Sequence, residues 1–169
     1  MVDKVFLGLG SNKGDRINFL RNAVQRIAAD ESNKVLAASP VYETLPFGLK
    51  EQDNFLNAVI EIDTGHGVVH LFNYIKNVEL EIGRTKNEVK WGPREIDIDL
   101  IFFNTLIYET DELTVPHPEA MKRDFVLVPL LDIAGDYLFP GTKNKIGLTD
   151  LSKLDTYIIK KTDYKLIDN

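Results

Sequence analysis

Residues Glu95 to Phe103 read EIDIDLIFF. A run this apolar belongs inside a sheet, yet Asp97 and Asp99 interrupt it. Side chains of a strand point to opposite faces in turn. Ile96, Ile98 and Leu100 therefore share one face, and the two carboxylates share the other, roughly 7 Å apart at Cα. The fold must cover one face of this strand and leave the other open to something that tolerates paired negative charge. Asp disfavours strands, and close carboxylates repel each other unless a cation neutralises them. Mg²⁺ does so readily, because it takes carboxylate oxygens together with phosphate and water. The bland alternative is a pair of solvated acids on an exposed sheet face.

The rest of the chain supplies partners for that strand. Lys4 to Leu9 reads as a strand, broken by GSNKGD. From Asp15, Ile17, Leu20, Val24 and Ile27 recur at spacings of three and four, the pattern of an amphipathic helix. Val35 to Thr44 reads as one strand, closed by LPFG. Phe55 to Thr64 alternates, with Leu56, Ala58, Ile60 and Ile62 on one face and Phe55, Asn57, Val59 and Glu61 on the other. A second helix from Val68 carries Leu71, Phe72, Ile75, Val78 and Ile82 on one stripe and stops near Gly83. Phe125 to Ala134 reads as a short helix, and Tyr157 to Lys160 as a weak strand. Strand, helix, strand, strand, helix, strand fits an α+β ferredoxin-like sandwich, with a mainly antiparallel sheet, helices on one face and the active site on the other. The length of 169 residues suits a single domain over 1–169, with 141–169 as a C-terminal extension of undefined structure.

Composition narrows the class. The chain has no cysteine, which removes disulfides and Cys-based zinc sites. No apolar run approaches ~18 residues, and MVDKVFLGLG is a poor signal peptide, so a cytoplasmic protein is expected. The net charge of −6 argues against nucleic acid and membrane surfaces as partners. Any anion must be held by a local cluster of positive charge. Arg84, Lys86, Lys90 and Arg94, in the loop leading into the Asp strand, form the densest such cluster. Carboxylate-held Mg²⁺ beside Arg and Lys is the constellation of phosphoryl transfer.

Three further residues stand out. Glu79 continues the apolar stripe of the second helix, either as a solvated edge residue or as a wall of the same cleft. His117, framed by prolines in TVPHP, is one of three histidines and a candidate phosphate or proton contact. Trp91 lies in the polar basic loop. GLGSNKGD lacks the third glycine of a dinucleotide fingerprint, and no GK[ST] follows. Gly10 therefore reads as a tight turn, with Asn12 a polar group at its rim.

Lys90-Trp91-Gly92-Pro93-Arg94-Glu95-Ile96-Asp97-Ile98-Asp99 resembles the signature of the 6-hydroxymethyl-7,8-dihydropterin pyrophosphokinases of folate biosynthesis. GLGSN, YETLPFG, FLNAV, ELEIGR and LTVPHP follow the order of that family from about Val5 to Pro140. The resemblance implies transfer of pyrophosphate from ATP to the pterin hydroxymethyl oxygen, with release of AMP. It implies two Mg²⁺ ions held by Asp97 and Asp99, with Arg84 and Arg94 as catalytic partners. It places Glu79, Arg84, Lys86, Trp91, Arg94, Leu113, Thr114, His117 and Arg123 at ATP. It places Thr44, Leu45, Pro46, Phe47, Phe55, Asn57 and Phe125 at the pterin, stacked between Phe55 and Phe125. Trp91 would belong to a loop that closes over the site. Phe55 stands where many members carry Tyr, Leu45 where Pro is common, and Lys86 and Pro118 where a well-studied bacterial version has Arg and Tyr. A monomer or weak homodimer is expected. Two other readings compete: a two-metal nucleotidyltransferase or phosphohydrolase using the same Asp pair, and a regulatory module that binds a small ligand. Neither uses Phe55, Asn57 and Phe125 together with the carboxylates.

Overall fold

A computed structural model describes residues 3–85 and 89–167. Chain order is β1 (Asp3–Ser11), α1 (Arg16–Ala29), β2 (Asn33–Ala38), β3 (Tyr42–Thr44), β4 (Phe55–Thr64), α2 (Val68–Ile82), β5 (Asp97–Phe103), β6 (Tyr108–Glu109), β7 (Thr114–Val115), α3 (Asp124–Ala134) and β8 (Ile158–Lys161). Both amphipathic helices expected from periodicity are present. Asp15 caps α1, accepting from the backbone N–H of Asn18 and, at 2.7 Å, from its Nδ2. Gly83 ends α2 at φ 120, a left-handed-side conformation that favours glycine, and its N–H returns to the carbonyls of Glu79 and Leu80.

The main sheet runs β5-β1-β4-β3-β8, with β2 also on β4, and every pairing is antiparallel. The single strand expected over Val35–Thr44 is two strands. β2 pairs with the far end of β4 (Asn33↔Thr64) and β3 with its near end (Tyr42↔Asn57). Pro40 lies at the break and has no N–H to give a ladder. Buried Ser39 bridges the gap: its N–H donates to the Val59 carbonyl at 2.8 Å, and its Oγ accepts from the Val59 N–H at 2.9 Å.

The helix-facing side of the sheet holds the main core. Val5, Leu7 and Leu9 of β1, Leu56, Ala58, Ile60 and Ile62 of β4, and Ile98 and Leu100 of β5 pack under Leu20, Val24 and Ile27 of α1 and Leu71, Ile75 and Val78 of α2. This is the helix layer that alternation called for. The third helix lies on the other side. Leu130 and Ala134 of α3, with Ile146, cover Phe6, Val59, Ile101 and Phe102. A bulge in β5 makes that second core possible. Phe102 pairs with Phe6 and Leu100 with Leu7, so Ile101 is the extra residue. Ile101 and Phe102 then face α3 together, and Phe103 rejoins the main core. α3 thus covers one half of the sheet's second face and leaves the half around Asp97 and Asp99 open. Among the described residues no helix is long and apolar enough to cross a membrane.

Candidate active site

The open half of the sheet is the floor of a cavity of about 430 Å³. Asp97 and Asp99 point into it from β5, opposite Gly10 and Gly8 of β1 in register. Those glycines keep the floor low. A Cβ on Gly10 would lie 2.7 Å from Asn57 Oδ1, closer than packing allows. The tight-turn reading of Gly10 is therefore corrected: it sits within β1, and its missing side chain makes room for Asn57. Asn57 points up from β4 and donates to Thr44 Oγ1 at 2.8 Å.

Positive charge meets the carboxylates on one wall. Arg84 Nη1 donates to Asp97 Oδ1 at 2.7 Å and Arg94 Nη1 to Asp97 Oδ2 at 3.0 Å. Burial pushes the Asp97 carboxyl up, but Arg94, Lys76 and Arg84 outweigh it and hold it below the usual carboxylate range. Asp99 goes the other way. Burial and the charge of Asp97 raise it, and Lys76, His117 and Arg123 offset them only in part. The pair is thus split into one firmly ionised acid and one that holds its proton more readily. This suits a divalent cation as the missing neutraliser. Among the described residues no cluster of three or more His, Cys, Asp or Glu could hold a metal. A two-carboxylate site fits Mg²⁺ completed by phosphate and water rather than an all-protein cage.

Glu79, expected at ATP, lies behind the cavity wall. It is buried at 4% exposure and does not line the cavity. Its Oε1 accepts from the Ile98 N–H at 2.6 Å and Lys76 Nζ at 2.9 Å, and its Oε2 pairs with Arg84 Nη1 at 2.9 Å. It anchors the start of β5 and aims two cations from beneath. Burial chiefly, and Asp97 next, raise its carboxyl; Lys76, Arg84 and the Ile98 N–H pull the other way.

Lys76 lines the cavity and escaped sequence reading, because it sits on α2 among ordinary surface positions. Its Nζ is fixed between Glu79 and the Ile98 carbonyl, at 2.7 Å from the latter. Asn12 escaped too. Far from a rim residue, it is 2% exposed and ties three segments together. Its Nδ2 donates to Gln52 Oε1 and to the Asp53 carbonyl, both at 2.9 Å, and its Oδ1 accepts from the Arg94 N–H at 2.9 Å. Gln52 Nε2 in turn donates to the Trp91 carbonyl at 2.7 Å.

Aromatic rings form the opposite wall. Phe47 stacks on Trp91, centroids 4.4 Å apart, and the Arg123 guanidinium lies 4.4 Å over Phe47. Trp91 has φ 67, uncommon for a bulky residue. Gly48 admits its ring, since a Cβ there would fall 2.3 Å from Trp91 Cε3. Thr44, Leu45, Phe55 and Phe125 also line the cavity, as does His117. His117 Nδ1 accepts the Glu119 N–H at 3.2 Å, so a neutral ring carries its proton on Nε2.

Four expected residues lie off this wall or outside the described chain. Leu113 is buried in the main core, and Thr114 pairs with Glu109 in the β6–β7 ribbon. Pro46 is buried without lining the cavity. Lys86 lies outside the described residues. Apart from Glu79 behind the wall, the remaining expected residues share one cavity.

The profile of the 7,8-dihydro-6-hydroxymethylpterin-pyrophosphokinase (HPPK) family matches residues 6–135. The chain belongs to this family. It is 43% identical over 136 residues to the 2-amino-4-hydroxy-6-hydroxymethyldihydropteridine pyrophosphokinase of Aquifex aeolicus, covering 80% of this chain and 83% of that one. It is 43% identical over 133 residues to the enzyme of the same name from Bacillus subtilis, covering 79% of each. A crystal structure of Plasmodium falciparum HPPK-DHPS superposes with TM-score 0.67 at 14% identity, covering 87% of this chain and 44% of that one. That likeness carries the HPPK fold alone, and the chain spans under half of that longer protein.

Proposed function

We propose that the chain transfers the pyrophosphoryl group of ATP to the hydroxymethyl oxygen of 6-hydroxymethyl-7,8-dihydropterin in cytoplasmic folate biosynthesis, as a monomer or weak homodimer. The observation that carries the reading is that an acidic pair, a cationic wall and an aromatic pocket with an amide floor meet in one cavity. Family membership supports the reaction class.

The hydroxymethyl oxygen attacks the β-phosphorus, the bond to the α-phosphate oxygen breaks, AMP leaves and the hydroxyl proton is lost. Mg²⁺, when bound at Asp97 and Asp99, supplies neutralisation of the β and γ phosphates. The chain's own groups do the rest. Arg84, Arg94 and Arg123 meet phosphate oxygens with planar donors that suit them. His117 offers Nε2–H to the same region. Lys76 adds a further cation, held in place by Glu79. Phe55 and Phe125 stack on the pterin ring, worth ~1 kcal/mol each. Asn57 and the Thr44–Phe47 backbone pair its polar edge, so a wrong ring leaves buried donors unmatched. Trp91 and Phe47 close the cavity against water, which protects ATP from hydrolysis.

Phe125→Ala tests the pterin assignment. Calorimetry should show pterin affinity falling about ten-fold while ATP affinity changes less than two-fold, in line with the loss of one stacked ring. A larger loss for ATP than for pterin would place the stacking pocket elsewhere.

A further inference from the structure

The family match ends at residue 135, yet the chain continues into β8, which pairs with β3 at the sheet edge. Tyr157, just before β8, touches both sides of the aromatic pocket. Its carbonyl accepts the Leu45 N–H at 2.8 Å. Its ring lies 5.6 Å from Phe47 and meets Phe125 edge-to-face, at 5.5 Å and 84°. Its N–H donates to Asp124 Oδ2 at 2.8 Å, and the Ile158 N–H joins the same oxygen at 3.0 Å. Asp124 is buried, and its neighbours in sequence are Arg123 and Phe125. The C-terminal segment therefore grips the loop that carries Phe47 and the helix start that carries Phe125. The Tyr157 hydroxyl makes no hydrogen bond among the described residues, so the ring face and the backbone are what hold.

We propose that Tyr157 is a positioning residue for the pterin half of the site, which makes the C-terminal edge strand part of the substrate pocket. The inference rests on the pyrophosphokinase reading for its substrate, but the geometry does not. The ring backs both Phe47 and Phe125, whose own centroids lie 6.3 Å apart, and so fixes where Phe125 stands across the cavity from Phe55, the gap into which a flat heterocycle fits. The backbone bonds to Asp124 fix Arg123 independently of the ring. Loss of the ring alone should disturb pterin binding and leave ATP binding in place.

The test compares Tyr157→Leu with Tyr157→Phe in the full chain. Leu keeps apolar bulk and both backbone bonds, and Phe keeps the ring. Tyr157→Leu is expected to raise the KM for pterin about ten-fold with the KM for ATP within two-fold, and Tyr157→Phe to restore the pterin KM to within two-fold. Trp91 is the sole tryptophan and stacks on Phe47, so its emission in the ligand-free protein reports the same displacement without turnover. Leu should shift that emission and Phe should not. The proposal is overturned if both KM values rise together, if neither moves, or if Phe behaves as Leu does. Should the wild-type protein release no AMP with pterin, the pyrophosphokinase reading fails by itself. The emission comparison still decides the positioning role, and an unchanged spectrum in Tyr157→Leu overturns it.

Discussion

Asp99→Asn is expected to cut turnover by about a thousand-fold while raising the melting temperature of the metal-free protein. The two effects share one cause. Burial and Asp97 raise the Asp99 carboxyl above its ordinary range. A group whose folded pKa is raised contributes stability that is complete below the unfolded pKa and is lost as pH rises through the folded value. At pH 8 without metal, Asp99 therefore works against the fold, whether it takes up a proton on folding or keeps its charge beside Asp97. Asn keeps the shape and removes the charge, so a gain of about 3 °C is expected, from roughly 1 kcal/mol of relieved repulsion. The gain should vanish as pH falls below the ordinary carboxylate range, where Asp99 is protonated in both states. Asp97→Asn should behave in the opposite sense. Asp97 is held low by Arg94, Lys76 and Arg84 against burial, so its stability is present above the unfolded pKa and lost as pH falls through the folded one. Removing its charge takes the carboxylate from Arg94 and leaves Arg84 with Glu79, and both turnover and melting temperature should drop. Melting scans in EDTA at pH 2.5 and pH 8, beside steady-state rates with Mg²⁺, read all of this. Equal destabilisation by the two substitutions would contradict the split in the pair.

Arg94→Ala should lower kcat by two to three orders of magnitude, the range seen when one preorganised donor to developing charge is lost. Pterin affinity should stay within two-fold. The backbone at Arg94 is held without its side chain, since Asn12 accepts its N–H at 2.9 Å and donates to its carbonyl at 3.1 Å. The loop therefore keeps its place and the loss is read as charge. Arg94→Lys should recover little, because an ammonium lacks the planar fork. Rapid-quench rates with calorimetric pterin binding check this, and a kcat within ten-fold of wild type would remove Arg94 from the phosphate wall.

The acidic pair was legible because strand alternation is a local rule: Asp97 and Asp99 had to share a face whatever else the chain did. The two amphipathic helices were legible for the same reason. What the sequence hid depends on distant partners. The bulge at Ile101 exists only against β1, and it turns Ile101 and Phe102 toward α3. Pro40 was visible, but the two-strand solution needed the length of β4 to receive both pieces. Glu79 stood out as an acid on an apolar stripe, yet only the fold shows that its protein partners are Lys76, Arg84 and the Ile98 N–H. Asn12 and Gln52 are single polar residues forty positions apart, with no periodicity to connect them. Tyr157 lies in a polar tail whose weak strand signal said nothing about the ring it presents to Phe47 and Phe125.

One incubation tests the reaction most directly. The protein is mixed with ATP, Mg²⁺ and 6-hydroxymethyl-7,8-dihydropterin, and nucleotide products are resolved with and without the pterin. AMP should form in step with pterin diphosphate and only when the pterin is present. ADP as the product, or AMP released at the same rate without pterin, would contradict pyrophosphoryl transfer at this site.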